Sequence, residues 1–285
     1  RKAADWAAGF LSKKHEQPFF LAVGLFRPHV PWYNPRKYVE QFPLEKIKLP
    51  VVKGNDLDDL GPWAKARAHD RSSKHDKVVE FGEWKPAVQA YLASISFSDA
   101  MLGRVLDALD AGPNARDTLI VFWSDHGYHL GENGHWTKVT ARELDGHVPL
   151  VLHAPGKTAG RTRAIVEYID IYPTLAGLCD LPTPQGLDGK SFEAVLDKPR
   201  RNGKPAAFTQ VCRPWPGRKP VEQMGYSLRT QRYRYTRWVD FKTRKTLAEE
   251  LYDTESDPSE RNNLIGNPDS TATRARLAKL MDETI

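Results

Sequence analysis

The chain opens with apolar residues at helical spacing. Ala3, Trp6, Ala7, Phe10 and Leu11 recur on one face of residues 2–14, which predicts an amphipathic helix. "PFFLAVGLF" (18–26) is a nearly unbroken apolar run, as expected of a strand covered on both faces. Residues 51–80 are polar and irregular and read as a surface excursion. A long helix is predicted from Pro86 to Leu109. Val88, Leu92, Ile95, Leu102, Leu106 and Leu109 form its stripe, and "AGPN" stops it. "TLIVFW" (118–123) and "VPLVLHAP" (148–155) predict two further buried strands. "DIYPTLAGLCDLP" (170–182) predicts a short helix with Cys179 in its apolar interior.

Strands alternating with helices imply an α/β fold, with a mostly parallel central sheet flanked by helices. After about residue 200 the texture changes. "AAFTQV", "GYSLRT", "YRYTRWV" and "EELYD" are short strands with no helix between them, and a helix follows from about Thr271. The expected organisation is an α/β part over residues 1–199 and a smaller α+β part over 200–285, built on an antiparallel sheet.

Composition narrows the partners. A formal net charge of +6 and a pI of about 9.2 favour anionic ones, although the charges are mixed along the chain. Two cysteines, Cys179 and Cys212, cannot build a disulfide framework or a Cys-rich metal site. No apolar run approaches the ~20 residues that span a membrane, so no membrane partner is expected. The first residues lack the order of a signal peptide, and the chain reads as the middle of something longer.

The densest chemistry is "SDHGYHLGENGHWTK" (124–138), directly after an apolar run. In open α/β sheets, ligands bind beyond the carboxyl ends of strands. There Asp125 suits a hard cation, and His126 can ligate or orient a ligand. Gly127 allows a sharp turn, and Lys138 closes a Gly-rich loop with a fixed positive charge. A metal and a lysine together suit an anionic ester. The competing reading makes Asp125 a cap of a turn or helix.

This pattern resembles the sulfatases of the alkaline-phosphatase superfamily. "QPFFLAVGLFRPHVPW" (17–32), "GHVPLVLHAPG" (146–156), "DIYPTLAGL" (170–178), "GLDGKSF" (186–192) and "ELYDTESDPSERNNL" (250–264) agree with it, in the family's order. "MGYSLRTQRYRYTRWV" (224–239) is similar to the iduronate-2-sulfatase subgroup. The resemblance implies hydrolysis of a sulfuric ester, with a sulfated saccharide as substrate. It implies Asp125 and His126 as metal ligands, with calcium the usual ion and manganese or magnesium the alternatives. It makes Lys138 a catalytic, sulfate-binding residue. It makes His29 a contact of the sulfate or of the leaving-group oxygen, in a loop expected to be held extended by Pro28 and Pro31. Tyr128 stands where the subgroup often has Trp and would touch the sugar. A periplasmic, extracellular or lysosomal location goes with the family.

Two family features are missing. Sulfatases carry C/S-x-P-x-R, whose Cys or Ser becomes formylglycine, and "CRPWP" (212–216) is only a near miss. An early Asp-Asp pair of metal ligands is absent as well. The chain thus resembles the C-terminal two-thirds of a sulfatase, and the formylglycine is expected in an N-terminal segment of the same protein. Such a fragment would be inactive alone. The rivals are a phosphonate monoester hydrolase or phosphodiesterase of the same superfamily, and a non-catalytic anion-binding remnant. Arg229, Arg232, Arg234, Arg237, Lys242, Arg244 and Lys245, interleaved with Tyr233, Tyr235 and Trp238, read first as a solvated face, next as a glycan contact. Alternation along a strand separates charges from aromatics, so no nucleic-acid partner is expected.

Overall fold

A computed structural model describes residues 1–68, 75–214, 217 and 219–285, with the backbone alone at 67 and 68. Its main elements in order are α1 (Lys2–Leu11), α2 (Arg36–Val39), α3 (Pro62–Ala68), α4 (His75–Glu80), α5 (Trp84–Asp110), β1 (Ile120–Trp123), β2 (His129–Leu130), β3 (Trp136–Thr137), α6 (Glu143–Gly146) and β4 (Leu150–His153). Then come α7 (Ile171–Leu178), α8 (Glu193–Asp197), β5 (Ala207–Arg213), β6 (Gln223–Arg229), β7 (Tyr233–Asp240), β8 (Thr246–Asp253) and α9 (Thr271–Asp282). β1 pairs with β4, β2 with β3, and β5-β6-β7-β8 form a four-stranded sheet. The chain divides into two compact units. The first holds Arg1–Val51, Asp76–Ile120 and Leu152–Pro155, and the second holds Val52–His75, Val121–Val151 and Gly156–Ile285.

In the first unit the small residues Ala4 and Ala7, with Leu11, let α1 lie close on Met101, Val105 and Leu109 of α5. The buried line of α5 is therefore rotated from the predicted stripe: Leu102 and Leu106 are half-buried, and Ile95 is exposed. Residues 18–26 depart further from expectation. They belong to no ladder, and their burial alternates strictly. Phe19, Leu21, Val23 and Leu25 pack on the α1–α5 core, whereas Phe20 and Phe26 are exposed. One face of this run is covered and the other is exposed. Phe122 and Trp123 of β1 and Val151 of β4 are exposed in the same way, against the expectation of strands buried on both faces.

In the second unit the antiparallel sheet forms as the run of short strands without intervening helices predicts. Its inner strand β7 is buried on both sides. Tyr235 packs with Leu228, Leu251, and Leu277 and Met281 of α9, while Trp238 packs with Val211 and Ala141. Gly225 faces Trp238, where a Cβ would lie 2.8 Å from the indole ring. The basic stretch is only in part a solvated face: Arg232, Lys242, Arg244 and Lys245 are exposed, whereas Arg229 and Arg234 turn inward. Arg234 is 2% exposed and ion-pairs with both Glu143 and Glu260. Arg229 makes a bidentate pair with Glu143, at 2.8 and 3.1 Å. Residues 51–80 are not wholly a surface excursion either, since Leu57, Leu60 and Ala64 are buried and pack with Trp63 and Ala248. Residues 69–74 of that stretch lie outside the described ones. Cys179 follows the last residue of α7 and is exposed, not in a core. Cys212 is half-buried in β5, and Pro216 of "CRPWP" lies outside the described residues.

Candidate functional site

β1 ends at Trp123, and four contacts fix the turn that follows. Ser124 Oγ donates to His126 O at 2.7 Å, the Tyr168 hydroxyl donates to Ser124 O, Ser124 N–H donates to Pro149 O at 3.4 Å, and Gly127 N–H donates to Asp145 O at 3.0 Å. Gly127 is required for a different reason from the predicted one. Its φ is not left-handed; instead a Cβ there would lie 1.6 Å from the carbonyl oxygen of Leu144.

Asp125 leaves this turn with its side chain 84% exposed, and its Oδ2 lies 3.5 Å from His126 Nε2. His126 Nδ1 is 2.8 Å from Gly127 O. A carbonyl only accepts, so Nδ1 carries the proton and Nε2 turns its lone pair toward the carboxylate side. One cation can therefore be shared by the carboxylate and the imidazole. Burial and the charge of Asp125 push the Tyr168 phenol up to about 12, so it remains a neutral donor to Ser124 O. Among the described residues no group of three or more His, Cys, Asp or Glu side chains is placed to hold a metal ion. Asp125 and His126 fit as part of a ligand set, short of the roughly six to eight ligands calcium takes.

Lys138 lies just beyond a tight hairpin. β2 and β3 pair His129 with Thr137 and Leu130 with Trp136. Lys138 sits between two β-branched residues with left-handed backbone, Thr137 at φ +83° and Val139 at φ +79°. Each such residue stores about 1–3 kcal/mol and persists only where its surroundings over-determine it. Here a series of side chains grips the backbone. His135 Nε2 donates to Lys138 O at 3.3 Å, Arg213 to Val139 O at 2.7 Å, and Arg234 to Ala141 O at 3.0 Å. The Asp145 carboxylate accepts from Thr140 N at 2.6 Å and Thr140 Oγ1 at 2.9 Å. The Lys138 ammonium itself has no ion pair or hydrogen bond among the described residues, and its residue is half-buried. A fixed cation left free in this way is available to an anion.

Beneath the loop, His129 is fully buried, with its Nε2 3.3 Å from Thr140 Oγ1 and its Nδ1 3.3 Å from Glu132 O. Burial, then the nearby His135 and Arg142, hold His129 well below the ordinary histidine range, so it is neutral. Tyr128 is half-buried, and its hydroxyl is buried.

His29 belongs to the first unit. Its loop is not extended as expected. His29 N–H donates to Phe26 O at 3.0 Å and closes a turn, which the Arg27 guanidinium braces on His29 O and Tyr33 O. The imidazole is exposed, and Nδ1 donates to Val30 O at 2.6 Å, which leaves Nε2 free to meet a ligand. The structure thus joins Asp125 to His126 directly, and links their turn to the Lys138 loop through Asp145. Sequence reasoning missed Asp145 and Arg213. "ARELDGH" and "CRPWP" carry no local signal for contacts made across the fold.

Comparison with known proteins matches a family model described as "Sulfatase" over residues 1–181, and one described as "N-sulphoglucosamine sulphohydrolase, C-terminal" over residues 131–285. A sulfatase of Formosa agariphila is 37% identical over 261 residues, which cover 91% of this chain and 48% of the relative. Human iduronate 2-sulfatase is 32% identical over 326 residues, covering 90% and 59%. The chain therefore spans about half the length of the curated relatives it matches. The fold is shared with a phosphonate monoester hydrolase from Silicibacter pomeroyi, at TM-score 0.82 and 24% identity over 99% of this chain and 59% of that one. It is also shared with a 2-O GAG sulfatase, at TM-score 0.79 and 20% identity over 99% and 61%.

Proposed function

Because the chain belongs to the sulfatase family, we propose that it serves in the hydrolysis of a sulfuric ester, acting from the end of a glycan on a sulfated uronic acid or related sugar. The observation that carries this reading is Lys138, clamped in a strained loop with an unengaged ammonium. The 32% identity to human iduronate 2-sulfatase supports the uronic acid.

Asp125 and His126 would hold a divalent cation, calcium or else manganese or magnesium, and when bound it would polarise a sulfate oxygen. Lys138 neutralises a second oxygen as charge builds on the sulfate. His29, with Nδ1 tied to Val30 O, exchanges a proton at the leaving-group oxygen through Nε2. The family's formylglycine nucleophile needs a C/S-x-P-x-R motif that these 285 residues lack, so it would come from elsewhere in the same protein. These residues alone are then inactive. A periplasmic, extracellular or lysosomal setting accompanies this reading.

The test is an assay of the intact protein on three probes: a fluorogenic 2-sulfated uronide, an aryl sulfate and a matched aryl phosphonate ester. Faster release from the sulfated uronide is the expected result. Preference for the phosphonate would assign a phosphonate monoester hydrolase instead, and no turnover of any probe would leave an anion-binding remnant.

A further inference from the structure

The turn carrying Asp125 and His126 and the loop carrying Lys138 are separate pieces of chain, and one buried residue holds both. Asp145 accepts the Gly127 N–H at its backbone oxygen, at 3.0 Å. Its carboxylate Oδ2 accepts Thr140 N–H at 2.6 Å and Thr140 Oγ1–H at 2.9 Å. Asp145 is 8% exposed, and its Oδ1 lies 3.6 Å from His129 Nε2. Neither contact can slacken easily. Gly127 is pressed so close to Leu144 that no Cβ fits, and Thr140 follows Val139, whose backbone is held left-handed. A buried carboxylate is costly to keep unless its bonds do something specific. Here both bonds go to the residue two beyond the lysine.

We infer that Asp145 is a positioning residue that sets Lys138 relative to the Asp125–His126 turn, and so tunes the grip on a tetrahedral anion. This rests on the reading of Lys138 as the anion-binding group. Asp145 touches no substrate atom; it acts through Thr140 and Gly127. Both Thr140 donors converge on a single oxygen, so the contact depends on an acceptor and not on charge. An asparagine can supply that acceptor, and an alanine cannot.

The experiment is a double-mutant cycle in the intact protein, read as the Kd for inorganic sulfate by calorimetry and as kcat on a 2-sulfated uronide. Asp145→Ala weakens sulfate binding and lowers kcat by about 10- to 100-fold, the scale expected of a misplacement near 1 Å. Asp145→Asn restores both to within about threefold. In a Lys138→Ala background, Asp145→Ala adds less than about threefold to either. Effects that multiply independently in the double variant would overturn the inference and leave the role of Lys138 standing. Unchanged sulfate binding and turnover in Lys138→Ala alone would overturn the anion-site reading and this inference together. Should Asp145→Ala fail to fold, Thr140→Val removes one of the two donors. It is expected to weaken sulfate binding severalfold, with Thr140→Ser restoring it; wild-type binding by Thr140→Val would count against the inference.

Discussion

Arg213 donates from Nη2 to the carbonyl oxygen of Val139 at 2.7 Å, one residue beyond Lys138. Its other arm reaches Cys212 O at 3.0 Å, and its guanidinium lies 5.7 Å from the centre of the Trp238 ring. The C-terminal sheet thereby holds the lysine loop by its backbone. Arg213→Ala leaves that half-buried carbonyl without the donor and is expected to cost about 1–3 kcal/mol. Urea denaturation measures the loss, and a change below about 0.5 kcal/mol would show that the contact does little.

Thr137 and Val139 hold Lys138 between two strained backbones. Glycine accepts a positive φ without that strain. Thr137→Gly is therefore expected to melt no lower than the parent, since relief of strain offsets the extra freedom of the unfolded chain. Turnover should fall, because the loop no longer fixes the ammonium. Thermal denaturation and kcat, measured on one preparation, check both halves.

Lys138 has no structural partner to lose among the described residues. Lys138→Ala in the intact protein is expected to keep the parent melting temperature and lose most turnover, on the order of 100-fold, as removal of one charge-stabilising donor does elsewhere. Near-normal kcat would remove it from the chemistry.

Arg234 is buried between Glu143 and Glu260 and also donates to Ala141 O and to Ser227 Oγ, both at 3.0 Å. Removing one partner of a buried ion pair strands the other, at about 3–5 kcal/mol. Arg234→Ala should show that loss in urea. Arg36→Ala, in an exposed pair with Glu40 just beyond α2, should stay within about 0.5 kcal/mol.

His129 makes stability depend on pH. Its folded form resists protonation, so only the unfolded chain takes up its proton as pH falls through about 6.5. Stability then drops as pH falls below that value. Asp145, held up to about 6 mainly by burial, works in the opposite sense over the acid range, so the parent curve alone does not isolate His129. The stability advantage of the parent over His129→Gln should shrink between pH 7.5 and 5.5, measured by urea titration at each pH. An advantage that stays constant would mean that His129 titrates alike in both states.

Local pattern was enough for much of this chain. Helical spacing locates α1 and α5, and short strand-like runs with no helix between them locate β5 to β8, because these signals are local to each element. The acid, imidazole, glycine and lysine in "SDHGYHLGENGHWTK" are legible as a candidate site because their chemistry is intrinsic to the residues. Other features depended on what meets each side chain across the fold. Arg234 and Tyr235 are adjacent in a strand, yet both are buried, because α9 covers one face of β7 and the lysine loop meets the other. Gly127 is needed for a neighbour seventeen residues away, and Asp145 and Arg213 matter through backbone atoms that no side-chain pattern encodes. The sequence alone determined which elements form and where the reactive groups lie along the chain. Only the tertiary structure decided what holds those groups in place, because close approach and backbone hydrogen bonding are properties of three-dimensional packing.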